Sequence, residues 1–259
     1  MNLFVVIPAY QAASTLRETV ERIPATDWDR ILRLAIVEDG SRDATGEVAR
    51  ELASRFPRIE VLSNGRNLGY GPTVKRGLEE ARRSGCEVAA VLHADGQYPP
   101  ERLVEFADLC VERKLSLLQG SRHRSGGARR GGMPLYKIVA GKLLVALENR
   151  TFGLRLTDYH SGYLFHHRSA LDRIPYARLG DSFDFDLQAI ACARALGLAV
   201  GEEAIATRYA GEESHLNPVT YGLRVLKVLA RYRMGHFKRI CAVISRPSIH
   251  RLRRHSGNG

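Results

Sequence analysis

Residues 91–100 read Val91-Leu92-His93-Ala94-Asp95-Gly96-Gln97-Tyr98-Pro99-Pro100, an apolar run that passes directly into an acidic, glycine-containing turn closed by two prolines. In open α/β sheets, ligands bind beyond the carboxyl ends of the strands. An aspartate at such an end, with an imidazole and an amide oxygen beside it, can hold a divalent cation against phosphate. The stretch therefore predicts a strand end at which a site lies, and the flanking sequence has to supply the sheet.

It does so on the amino-terminal side. Residues 3–7 read as a buried strand, and residues 14–23 as a helix with Leu16, Val20 and Ile23 on one face. Residues 31–37 form a second strand that ends at Glu38-Asp39-Gly40-Ser41. Asp43 is placed to cap a helix running to residue 55, residues 59–62 return as a strand, and residues 71–84 carry Val74 and Leu78 on a further helix. Residues 88–92 lead into the acidic turn, and a helix is predicted from residue 100 to about residue 113. Strands alternating with helices of this length indicate βαβ units and a mainly parallel, Rossmann-like α/β sheet flanked by helices.

Beyond Gln119 the pattern loosens. Residues 120–127 read as a basic loop able to close over a phosphate-bearing ligand. A helix is expected over residues 134–149, a polar turn over 158–163, a strand over 164–166 and a helix over 181–196. Residues 198–209 read as the last strand, and residues 218–234 as an amphipathic helix leading into a basic tail. The chain thus divides into a catalytic domain over residues 1–215 and a helix with a tail over 216–259.

Composition narrows the partners. The 259 residues carry a formal net charge of +11, which favours anionic ligands such as nucleotide phosphates or acidic lipid headgroups. Nucleic acid is the least favoured of the anionic partners. The four cysteines, Cys86, Cys110, Cys192 and Cys241, are far apart and signal neither a zinc site nor a disulfide framework, so a reducing, cytoplasmic location is expected. No apolar window reaches the roughly 18 residues a bilayer span requires. Leu223, Val225, Leu226, Val228 and Leu229 alternate with Arg224, Lys227 and Arg231. That stripe fits a helix lying on the inner face of an anionic membrane, and it fits equally a helix packed on the domain or at a homodimer interface.

Six motifs, taken in order, resemble those of family 2 glycosyltransferases. They are Val6-Ile7-Pro8-Ala9-Tyr10, Val37-Glu38-Asp39-Gly40-Ser41, Asn67-Leu68-Gly69-Tyr70-Gly71, Ala94-Asp95-Gly96-Gln97-Tyr98-Pro99, Gly120-Ser121-Arg122 and the turn from Asp158 to Tyr163. The branch they resemble is that of dolichol- and polyprenyl-phosphate sugar synthases. The resemblance implies a GT-A fold, a nucleotide-diphosphate sugar donor, a divalent metal and inversion at the anomeric carbon.

Residue by residue, the resemblance places Pro8, Ala9 and Tyr10 beside the base, and Glu38 and Asp39 near base and ribose. Ala94 and Asp95 fall at the donor, with Asp95 and Gln97 at metal-contacting positions. His93 stands where the family often has an acid. It is either a third ligand, which would suit Mn²⁺ better than Mg²⁺, or a neighbour of the diphosphate. Gly69 would permit close backbone approach, and Lys75 one turn on would point toward the diphosphate. Arg122 and Arg208 correspond to phosphate-contacting positions. For a catalytic base, Asp158 competes with Asp184 and Asp186, whose alternative role is to complement a helix dipole. An acceptor phosphate, already ionised, would need no strong base.

The function these residues imply is transfer of a hexose from GDP-mannose or a UDP-hexose to polyprenyl or dolichyl phosphate. Transfer to a soluble small-molecule or glycan acceptor is the alternative. A non-catalytic nucleotide-sugar or membrane-binding protein is the alternative of another class.

Overall fold

The structure is a computed structural model that describes residues 1–124, 135–206 and 218–242. Seven described strands form one sheet: β1 (Leu3–Ala9), β2 (Ile31–Glu38), β3 (Ile59–Ser63), β4 (Val88–Val91), β5 (Leu117–Ser121), β6 (Leu164–His167) and β7 (Val200–Ala204), in the order β3-β2-β1-β4-β6-β5-β7. Pairing is parallel throughout except at β6, which runs antiparallel to both β4 and β5. The expected α/β sheet, mainly parallel, is present.

The helices are α1 (Leu16–Glu21), α2 (Thr45–Arg55), α3 (Tyr70–Ser84), α4 (Leu103–Glu112), α5 (Leu135–Phe152), α6 (Arg168–Leu171), α7 (Phe185–Ala195), α8 (Pro218–Arg233) and α9 (His236–Ala242). They cover both faces of the sheet, which is why the central strands are apolar without a polar alternation. In β1, Leu3, Val5 and Ile7 join Leu16 and Val20 of α1, Leu52 of α2 and Phe106 of α4. Phe4 and Val6 point the other way, into a cluster with Val74 and Leu78 of α3, Phe185 and Ile190 of α7 and Val225 and Val228 of α8. The period of two along the strand assigns each side chain to one of two cores.

Four expectations are corrected. Gly120 and Ser121 are not the start of a loop but the buried end of β5, paired with Glu203 and Ala204 of β7. A Cβ at Gly120 would lie 2.6 Å from Tyr163 Cδ1, so the glycine is selected by packing inside the sheet rather than by loop flexibility. The helix expected from residue 181 begins at Phe185, and the strand expected over 198–209 is Val200–Ala204 among the described residues, with 207–209 lying outside them. Asp43 does not cap as the residue before the helix. Its Oδ1 accepts from the Thr45 amide and hydroxyl at the entry to α2, and its Oδ2 accepts from Ala13 N.

Helix α8 packs against α5, α7 and α9. Val225, Val228 and Leu229 are buried by that contact, while Leu223 and Leu226 remain exposed. The four cysteines are free and buried, and folding brings Cys192 of α7 within hydrogen-bond reach of Cys241 of α9. No helix among the described residues is long and apolar enough to cross a membrane.

Candidate active site

The carboxyl ends of β1, β2 and β4 open into a cavity of about 1130 Å³, walled by Pro8, Ala9, Tyr10, Asp39, Gly69, Tyr70, His93, Ala94, Asp95, Phe183 and Arg224, among others. Eight of the residues singled out from the sequence therefore share one wall: Pro8, Ala9, Tyr10, Asp39, Gly69, His93, Ala94 and Asp95. The grouping follows from the parallel register, which brings Ala9 of β1 opposite Glu38 of β2 and stacks Val6 beside Val91 of β4. Loops that are far apart in sequence thereby leave the sheet side by side.

Each loop is held in place by its own chemistry. Asp39 is buried, and it accepts from Asn64 Nδ2 (2.8 Å) and Leu68 N (2.9 Å) on Oδ1 and from Gly69 N (2.9 Å) on Oδ2. Gly69 needs its freedom here, because a φ of +91° joins the peptide that donates to that carboxylate to the first turn of α3. The acidic turn is pinned from behind by Thr19 Oγ1 on Ala94 O (3.2 Å) and by Arg22 Nη1 on Gly96 O (2.8 Å). Asp95 Oδ1 accepts from Gln97 N (3.0 Å), a local turn that sets the carboxylate at the pocket wall.

Glu38 stands apart. It is absent from the cavity wall and accepts from Ser41 N and Ser63 Oγ. Burial opposes its ionisation, but these hydrogen bonds win and hold the carboxyl below its usual range. Its observed contacts brace the β2 and β3 loop ends.

Lys75 differs from expectation. Its Nζ donates to Leu179 O (2.6 Å) and pairs with Asp181 (2.5 Å), tying α3 to the segment before α7. Gln97 is not on the cavity wall, and among the described residues no three His, Cys, Asp or Glu side chains gather as a cation cluster.

His93 is wedged between aromatic rings. Tyr98 packs edge-on at 5.0 Å and Tyr70 at 5.4 Å between centroids, and Tyr70 Oη lies 3.2 Å from Nε2. The polar turn closes over it: a Cβ at Gly162 would fall 2.2 Å from His93 Nε2, so only glycine admits the imidazole. Burial pushes the ring toward its neutral form, Asp95 opposes that, and Arg122 reinforces it. A neutral imidazole next to a carboxylate suits a cation that takes its remaining ligands from a bound diphosphate, so the residues present fit such an ion.

Tyr70 also donates from Oη to Asp186 Oδ2 at 2.8 Å. Asp186 is buried, its Oδ1 has no partner, and burial raises its carboxyl to about 7 despite the tyrosine hydrogen bond. Asp184 accepts from Gln188 Nε2 (2.6 Å) and lies 3.7 Å from Arg224 Nη1. The two rival acids at the start of α7 therefore have separate attachments.

Asp158 is different again. It is 1% exposed and paired with Arg122 Nε at 2.9 Å, and it also accepts from His160 N (2.8 Å). Burial opposes its charge most strongly of any single cause, but the Arg122 ion pair and the His160 amide together outweigh it and hold the carboxyl below its usual range. A carboxylate stabilised in this way is a poor proton acceptor.

His160 continues the network, with Nδ1 3.0 Å from Tyr221 Oη of α8 and Nε2 3.4 Å from Oε1 of the fully buried Glu148. Burial raises the Glu148 carboxyl, and His160 pulls it back only in part.

Arg208 and Ser214 lie outside the described residues, as do Arg129, Arg130 and the tail arginines from Arg246 onward. Sequence reasoning missed Tyr70, Phe183, Gly162 and Arg224 as parts of the site. Tyr70 and Gly162 sit inside quoted motifs, so a signal was present for both. Arg224 had none, because its place on the wall depends on how α8 docks.

The comparisons with known proteins agree with this geometry. The profile described as Glycosyl transferase family 2 matches residues 4–176. A polyprenol monophosphomannose synthase from Mycolicibacterium smegmatis is 30% identical over 187 residues, covering 71% of this chain and 69% of its own. A UDP-N-acetylglucosamine–dolichyl-phosphate N-acetylglucosaminyltransferase from Methanococcus voltae is 25% identical over 219 residues, covering 80% and 86%. Among solved structures, a glucosyl-3-phosphoglycerate synthase from Mycobacterium tuberculosis in complex with Mn²⁺, uridine diphosphate and phosphoglyceric acid superposes with a TM-score of 0.63. It is 17% identical and covers 89% of this chain and 78% of its own, a likeness that speaks to the GT-A-like fold. With the profile spanning more than half its length, this chain belongs to glycosyl transferase family 2 and is a glycosyltransferase.

Proposed function

We propose that the protein transfers a hexose, with inversion, from a nucleotide-diphosphate sugar bound in the β1–β2–β4 cavity to a polyprenyl or dolichyl phosphate. The observation that carries this is the Arg122–Asp158 pair. An acceptor hydroxyl would call for a carboxylate free to take its proton, and Asp158 is neutralised and held ionised by arginine. A phosphate nucleophile arrives already charged and asks only for cationic surroundings. Two relatives named for polyprenol and dolichyl phosphate support the same acceptor class.

In this reading Pro8, Ala9 and Tyr10 frame the base, while the loop organised by Asp39 supplies the ribose side. Asp95 and His93 would hold a divalent cation, which when bound neutralises charge developing on the departing diphosphate. Asp95 keeps its carboxylate at the wall through the Gln97 amide, and His93 keeps a neutral ring through burial. Arg224 adds a fixed positive charge from α8, and Tyr70 with Phe183, stacked at 5.8 Å, limits water on that side. Leu223 and Leu226, exposed beside Lys227 and Arg231, form the surface proposed to rest on an anionic membrane.

A second reading, a soluble hydroxyl acceptor, is favoured by one observation. Asp186 is buried with one oxygen unpartnered, and that burial raises its carboxyl to about 7, in the range where a general base works best. It is absent from the cavity wall, however, and reaches it only through Tyr70.

The test is a thermal-shift screen of sugar nucleotides with and without Mn²⁺, on wild type and Asp95→Ala, followed by transfer assays. Metal-dependent stabilisation by one donor, lost in the variant, with transfer to a short polyprenyl phosphate, is the expected result. Transfer to soluble hydroxyl acceptors alone would replace the acceptor assignment. Absence of stabilisation by every donor would replace it with a non-catalytic role.

A further inference from the structure

His93 belongs to a hydrogen-bonded chain whose direction can be worked out. The Tyr70 hydroxyl has one hydrogen, and toward the ionised Asp186 carboxylate, the form present at pH 8.5, it is donated to Oδ2 at 2.8 Å. What Tyr70 Oη offers His93 Nε2, 3.2 Å away, is therefore a lone pair. The ring can complete that contact only by placing its own hydrogen on Nε2. In a neutral imidazole this leaves Nδ1 with a lone pair. Among the described residues no hydrogen bond reaches Nδ1.

The arrangement of Asp186 is otherwise hard to explain. Its Oδ1 is buried without a partner, Tyr70 is the one hydrogen-bond donor to its carboxylate among the described residues, and the side chain does not line the cavity. A buried carboxylate costs free energy unless hydrogen bonds or an opposite charge offset it. Here the single contact fixes the polarity of the next one. The ring itself cannot turn away, because Gly162 closes on its Nε2 edge and Tyr98 and Tyr70 pack against its faces and edge.

We infer that Asp186, acting through Tyr70, is a positioning residue that locks His93 in its Nε2–H tautomer, so that Nδ1 serves with Asp95 as a ligand for a divalent transition-metal ion. The inference rests on the donor-site reading above and deepens it. It explains how a histidine can replace an acid at this position: a carboxylate offers lone pairs in any state of ionisation, whereas an imidazole must first be told which nitrogen to leave bare. A nitrogen donor also shifts preference from Mg²⁺ toward Mn²⁺.

The experiment labels histidine with ¹⁵N and reads the tautomer of His93 by long-range ¹⁵N–¹H correlation at pH 8.5, without metal or nucleotide, assigning the signal by its loss in His93→Gln. Wild type is expected in the Nε2–H form. In Asp186→Leu the freed Tyr70 hydrogen should turn to Nε2 and move the signature to the Nδ1–H form. In Tyr70→Phe both forms should coexist, and this variant keeps the inference testable if the leucine substitution fails to fold.

Electron paramagnetic resonance titration with Mn²⁺ alone should then show binding weakened about tenfold in both variants. An Nδ1–H signature in wild type, a signature unmoved by either substitution, or unchanged Mn²⁺ binding would each overturn the inference. None of these outcomes depends on transfer activity. Failure of the donor reading would appear separately, as absent sugar-nucleotide binding with the tautomer chain intact.

Discussion

The two halves of the site treat charge in opposite ways. At the ends of β1, β2 and β4, polar groups are held in place by backbone amides and left facing a cavity, as Asp95 is by Gln97 N. Beyond β5, the groups have already found each other: Arg122 forms an ion pair with Asp158, and His160 sits between Glu148 and the Tyr221 hydroxyl. The first arrangement is suited to receive a ligand's charge. The second builds a rigid, pre-paired wall whose cations act on an incoming anion without an adjacent free base. The difference teaches that a list of acids and bases does not identify a site until one knows which of them are already spent.

The sharpest way to break this contrast is Asp95→Ala. If the cavity side is the donor site, kcat/KM for transfer should fall on the order of 10³-fold, a loss comparable to removing a transition-state charge stabiliser. Steady-state kinetics with a fixed donor checks this, and near-wild-type rates would erase the distinction between the halves.

Arg122→Ala probes the other side through stability. It strands a carboxylate that is 1% exposed, and should cost about 3 kcal/mol in urea unfolding. The pH dependence has a definite sign. The Asp158 carboxyl is depressed in the folded state, so its contribution is present above the unfolded value of about 3.9 and is lost as pH falls through the lower folded value. Asp158→Asn should remove that acid-side loss.

Asp186 should behave in the reverse sense. Its carboxyl rises to about 7 on folding, so the folded state binds more protons than the unfolded between about pH 4 and 7, and stability falls as pH rises across that window. The slope contributed by one such group is on the order of 1 kcal/mol per pH unit. Asp186→Asn should flatten it, which unfolding curves at several pH values would show. An unchanged slope would mean that the carboxylate is paired more fully than its single hydrogen bond indicates.

The smallest effect is expected for Tyr221→Phe. It deletes one hydrogen bond to His160 and should cost about 0.5–1 kcal/mol, with little change in donor binding. A large loss of activity would show that the His160–Tyr221 contact positions a group the reaction needs.

Legibility in the sequence followed the same division. Pro8, Ala9, Tyr10, Asp39, Ala94 and Asp95 were singled out by the family motifs, and they share one wall because each sits where an apolar run stops and a parallel sheet brings such ends together. The basic segment after Gln119 misled because glycine and serine usually signal a loop, whereas Gly120 is there to admit Tyr163 and Ile205. Lys75 misled because one helical turn fixes where a side chain begins and not where it ends. Asp181, 106 residues later, captured it.

By itself the sequence determined the α/β class, the order of most strands and helices in the first half, and the edge of the sheet that carries chemistry. These follow from local hydrophobic periodicity and from turns within a few residues of each strand. Only the tertiary structure decided which acids are free and which are paired, and it alone showed that Tyr70 links Asp186 to His93 and that α8 delivers Arg224 to the cavity. The physical reason is range. Periodicity is set by neighbours along the chain, whereas the state of a charge is set by whatever folding places within a few ångströms of it.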